Sequence, residues 1–103
     1  MKRNARIAFD ALIRIGAPVY DRTEHGAHFI LGAELRTSED SHFADYYGCE
    51  IKEHWHPEDL EKPIGERRVV NQSGVRQDVV EILDRNGLYA EWINPGMVGV
   101  YSK

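Results

Sequence analysis

The chain predicts an α+β fold: a two-layer sandwich, antiparallel sheet with helices on one face, in the order αββ–linker–αββ. Three observations predict it. Residues 5–15 and the stretch "VRQDVVEILDRNG", residues 75–87, place apolar side chains at helical spacing. Each stretch is stopped by a glycine, Gly16 or Gly87. Each is then followed by two strand-like runs around a glycine-containing connection. Four strands with one apolar face need a covering layer, and two helices supply it.

In the first helix the expected buried stripe is Ile7, Ala8, Ala11, Leu12 and Ile15, widened by Phe9 and Ile13, with Asn4 as the cap. The strands "VYDRT" and "AHFILGAEL" follow, separated by "EHG". In the second unit Ser73 is the expected N-cap. Val75, Val79, Ile82 and Leu83 form the stripe, supported by Val80. "LYAEWI" and "MVGVY" then flank Asn94-Pro95-Gly96. Pro-Gly suits a type II turn, whose twist is wrong for a two-residue hairpin, so a wider loop is expected.

The two units align. At an offset of 71, Ala8, Phe9, Leu12, Arg14 and Gly16 meet Val79, Val80, Leu83, Arg85 and Gly87. With one residue dropped, an offset of 70 brings Val19, Asp21, Gly26, Ile30 and Leu31 onto Tyr89, Glu91, Gly96, Val100 and Tyr101. The expectation is a single domain over residues 1–103, with a degenerate repeat at 5–35 and 73–102 and an acidic insertion at 36–72. Inside the insertion, "SHFADYYG" suits two helical turns, "CEIKEHW" alternates as a strand, "HPEDLEK" opens as a helix at Pro57, and "ERRVVN" suits a further short strand.

No apolar run approaches the ~20 residues of a membrane span. The basic and then apolar N-terminus is interrupted by Asp10 and Arg14, with no small-residue cleavage site after it. The single Cys49 cannot form an internal disulfide. A cytoplasmic protein is the expectation. The net charge of −4 is unevenly spread: residues 34–66 carry ten acids and three bases, a balance of −7, and the rest of the chain carries +3.

Four chemistries are conceivable for such a chain. His54 and His56 would point to one side of an extended segment, as a zinc ligand pair requires, with His42, Asp45 or Cys49 to complete it. The paired CxxC and HExxH spacings are absent, so neither a metal nor any other cofactor is expected. Catalysis lacks a GxSxG, a phosphate-binding glycine loop or a cysteine in a nucleophile's setting, and no enzyme is expected. Residues 12–31, with Gly16, Arg22, Gly26, His28 and Phe29, resemble HicA-like toxins, small double-stranded-RNA-binding-like domains that cleave messenger RNA. The resemblance implies His28 as a catalytic histidine. The spacing departs from that family's by a residue in two places, Ala27 stands where serine is usual, and direct nucleic-acid contact sits poorly with a net negative chain.

The fourth chemistry is protein binding, and it leads. Aromatic residues interleaved with carboxylates form the anchor-and-rim pattern of an interface. The candidate contact residues are Asp45, Tyr46, Tyr47, Glu53, Trp55, Glu58, Asp59 and Glu61. The expected partner is a protein with a basic surface. The most specific form of this reading is an inhibitor of a nucleic-acid-handling complex, of the kind phages and mobile elements carry, anti-CRISPR proteins among them. The alternatives are an RNA-binding or ribonuclease domain using His28 and a metal-stabilised domain using His54 and His56. The oligomeric state is left open, a homodimer included.

Overall fold

The computed structural model describes residues 1–33, 43–46 and 55–103. It is α+β, with two helices and a four-stranded antiparallel sheet. Helix α1 (Arg3–Arg14) leads into β1 (Val19–Tyr20) and β2 (Phe29–Gly32); helix α2 (Gln77–Arg85) leads into β3 (Leu88–Asn94) and β4 (Met97–Ser102). The strand order is β1-β2-β4-β3, so the two hairpins meet along β2 and β4. There Phe29 pairs with Val100 and Leu31 with Val98.

Strand alternation sorts the side chains. Phe29, Leu31, Leu88, Val98 and Val100 join Ala5, Ala8, Phe9 and Leu12 of α1 and Val79, Ile82 and Leu83 of α2 in one buried cluster. Phe9 meets Phe29 edge-on, ring centroids 5.2 Å apart. Gly16 and Gly87 each take a positive φ just past a helix end, the left-handed turn that glycine allows without cost.

Several expectations are corrected. The stripe of α1 is Ala5, Ala8, Phe9 and Leu12, while Ile7, Ile13 and Ile15 are exposed. Small alanines and Phe9 occupy the buried side, and the isoleucines lie off it. Asn4 lies within α1, and its Nδ2 donates to the Asn86 carbonyl at 2.9 Å, so it serves the end of the other helix. Ser73 does not cap α2. Its N–H donates to Asn71 Oδ1, its Oγ accepts from Val75 N–H, and the helix starts only at Gln77. The β3–β4 connection is short: Asn94 pairs with Met97, leaving Pro95-Gly96 as the loop, and a bulge between Trp92 and Asn94 absorbs the twist. Gly96 stays out of the positive-φ region, so no type II turn forms.

The strand alignment also changes phase. The offset of 70 sets Ile30, which is buried but lies outside the core cluster, against core Val100, whereas 69 sets Phe29 against Val98 and Ile30 against Gly99 and keeps the faces matched. In the insertion, Phe43–Tyr46 is not helical: Ala44 forms an isolated bridge with Val75. Pro57–Asp59 is a single 3-10 turn, and Val69 contributes only a bridge to Trp55. The remainder of "CEIKEHW" before Trp55 lies outside the described residues.

Candidate protein-binding surface

The candidate contact residues that the structure describes fall into two groups. The first is residues 43–46. Beyond the Ala44 bridge, Asp45 N–H donates to the Gly74 carbonyl at 2.8 Å and Arg76 N–H to the Phe43 carbonyl at 2.9 Å. Phe43 is buried, with the Arg76 guanidinium 4.0 Å from its ring centroid. Arg76 is in turn paired with Asp78 at 2.6 Å.

Pinning this segment turns Tyr46 outward. Its side chain is 52% exposed, and its ring stands edge-on to Trp92, centroids 5.3 Å apart. Trp92 Nε1 donates to the Ser73 carbonyl at 2.7 Å, which fixes the indole. The whole arrangement depends on Gly74. Its φ is +75°, and a Cβ there would stand 2.5 Å from the Asp45 carbonyl oxygen.

The second group is a lobe at residues 55–70, and it differs from the rim of acids the sequence suggests. Asp59 has no accessible surface. Its Oδ2 accepts from the Arg68 backbone N–H and Nε, both at 2.9 Å, and its Oδ1 lies 3.2 Å from Lys62 Nζ. The Arg68 guanidinium, and then the Arg68 backbone N–H, hold this carboxyl well below the usual carboxylate range. The cover is thin, since the Arg68 and Lys62 side chains that close over Asp59 are 60% and 51% exposed.

Glu58 is exposed and accepts from Arg68 Nη2 at 2.9 Å. A backbone hydrogen bond, reinforced by the Arg68 charge, lowers its pKa too. Trp55 is only 8% exposed, with Arg67 over its ring, and packs rather than projects. Glu61 is exposed. Residues 55–68 hold four acids and three bases, a balance of −1, and Arg67 and Arg68 fold back over the acidic run.

Of the eight candidate contacts, Asp45 and Tyr46 therefore lie beside β3, and Glu58 and Glu61 lie on the surface of the lobe. Trp55 and Asp59 serve its interior. Tyr47 and Glu53 lie outside the described residues. Of the suggested metal ligands, His42, Cys49 and His54 also lie outside them, and His56 Nδ1 stands 3.9 Å from Glu58. Among the described residues no group of three His, Cys, Asp or Glu side chains is placed to hold a metal ion. His28, at the start of β2, has its Nε2 2.7 Å from Ser102 Oγ. No helix among the described residues is long and apolar enough to cross a membrane.

Two partners in this geometry escape sequence reading. Trp92, the shelf under Tyr46, is 46 residues away in the chain. Arg68, the partner of Asp59, had a signal: it closes the acidic run beside Arg67. No known protein family, curated protein or solved structure matches this chain.

Proposed function

We propose that this chain is a two-layer α+β sandwich acting as a non-catalytic protein-binding domain whose partner carries a basic surface. The observation behind this reading is Tyr46, an exposed aromatic ring held rigidly against Trp92 beside the carboxylate-bearing Asp45. A ring held in place before binding loses little freedom on contact, which is how aromatic anchors contribute to interfaces. Glu58 and Glu61 add exposed negative charge. The most specific form is a cytoplasmic inhibitor of a nucleic-acid-handling complex, which the small size and negative charge suit.

The test is capture of a partner from the native host, followed by kinetics on the purified pair. Tyr46→Ala should raise the off-rate, while Glu58→Lys with Glu61→Lys should slow association, most at low salt, where the Debye length is ~10 Å at 0.1 M against ~3 Å at 1 M. A partner that binds the double lysine variant and Tyr46→Ala as well as wild type would overturn the reading.

A further inference from the structure

The sheet face turned away from the helices carries a cleft of about 400 Å³ lined by His25, Tyr89, Glu91, Trp92, Ile93 and Tyr101. Its construction follows from strand register. Tyr89 and Glu91 alternate onto the same face of β3, and Tyr89 pairs across with Tyr101 of β4. The two tyrosine rings lie 5.7 Å apart at 31°. Glu91 pairs across with Gly99. Gly99 has an ordinary φ, so its backbone does not demand glycine; space does. A Cβ there would lie 2.8 Å from the Tyr101 hydroxyl and 3.0 Å from Ile93 Cδ1. Tyr101 thus lies down over Gly99, the cross-strand partner of Glu91, and both side chains line the cleft. Among the described residues no cation or hydrogen-bond donor engages the exposed carboxylate of Glu91, although the Arg22–Glu24, Lys103–Asp84 and Arg68–Glu58 carboxylates are all paired.

We propose that this cleft receives the guanidinium of an arginine side chain presented by a protein partner. Two tyrosine faces attract a cation through their quadrupoles, and a neighbouring carboxylate accepts from a guanidinium fork. Arginine fits better than lysine because its planar, weakly hydrated head stacks on the rings while donating in that plane. The cleft is broad and open above, so it covers one side of a ligand. That suits a side chain already held by a larger partner and not a free small molecule, whose sites enclose most of it. The proposal deepens the basic-partner reading and rests on it for the source of the arginine.

The test uses the full chain and three capped tripeptides, Gly-Arg-Gly, Gly-Lys-Gly and Gly-citrulline-Gly, titrated by NMR. The arginine peptide should shift the Tyr89, Glu91 and Tyr101 signals with a dissociation constant on the order of millimolar. The lysine peptide should bind more weakly, and the uncharged citrulline peptide should leave the signals in place. Glu91→Gln should weaken the arginine peptide about tenfold, the scale of a lost charge-assisted pair. Gly99→Ala, which lifts Tyr101, should weaken it as well, with the amide spectrum checking that each variant stays folded. Glu58→Lys with Glu61→Lys should leave this titration unchanged. Equal shifts from the citrulline peptide, or wild-type affinity in Glu91→Gln, would overturn the cleft and leave the Tyr46 surface untouched. A captured partner that binds Tyr46→Ala and the double lysine variant as well as wild type, together with a positive arginine titration, would remove the Tyr46 reading and leave the cleft standing.

Discussion

Asp59 shows how far a single residue can depart from its setting in the sequence. Among Glu58, Asp59 and Glu61 it reads as one more solvated acid. In the fold it is enclosed, and its four contacts come from Arg68 and Lys62. Hydrophobic periodicity carries no information about which of three neighbouring carboxylates an arginine nine residues away will select. The consequence is a pH dependence. The Asp59 pKa is depressed in the folded state, so its contribution is complete above the ordinary value of 3.8 and is lost as the pH falls below it. Asp59→Asn should therefore melt several degrees below wild type at pH 6, the gap should hold down to about pH 4, and it should narrow only as the pH falls below 3.8 toward about pH 2. Melting curves of both proteins across that range check this. A gap that stays constant with pH would mean that packing, not the ion pair, is responsible.

At the scale of elements, the helix–glycine–hairpin grammar was legible because both signals are local: a 3.6-residue period and a glycine that breaks it. The phase of α1 was not. Ile7, Ala8, Ala11, Leu12 and Ile15 make as good a stripe on paper as Ala5, Ala8, Phe9 and Leu12. The choice falls to what α1 packs against, Phe29 among others. The Tyr46 surface was half legible: its aromatic and acidic residues stand in the sequence, but the Trp92 shelf and the Ser73-Gly74 strut come from the other end of the fold. The two positive-φ glycines beside α2 separate backbone cost from steric cost. At Gly87 an added Cβ meets nothing within 4 Å, so Gly87→Ala should cost only the left-handed penalty, ~1–2 kcal/mol. At Gly74 the same penalty is joined by a clash with the Asp45 carbonyl, and overpacking adds ~1–3 kcal/mol. Gly74→Ala should thus be clearly the less stable of the two in urea. It should also change the near-ultraviolet signal of Tyr46 and Trp92, which Gly87→Ala should preserve. Equal losses in stability would mean that residues 43–46 give way freely, and that Tyr46 is not held by this strut.

For the molecule as a whole, the junction of β2 with β4 decides how stability is shared. The two helix–hairpin units do not make separate cores. Leu12 and Val79 lie in one cluster with Phe29, Val98 and Val100, contributed by both hairpins. Trp55 is buried but stands outside that cluster, in a lobe held by Arg67, Arg68 and Asp59. A shared core cannot lose one unit and keep the other, because either helix leaving would expose the same buried cluster. Leu12→Ala and Leu83→Ala, one in each unit and both fully buried at 0% and 1% exposure, should each cost ~2–5 kcal/mol, the range for truncating a buried leucine. More telling is the form of the transition. In a Trp55→Phe background, Trp92 in the second unit is the sole fluorescent tryptophan. Its unfolding curve in Leu12→Ala should shift as far as in Leu83→Ala and coincide with the far-ultraviolet circular dichroism, the mark of one cooperative unit. If Leu12→Ala unfolded α1 in a first step while the Trp92 signal held its wild-type midpoint, the two units would be independently stable, and the β2–β4 seam would be a contact between two cores.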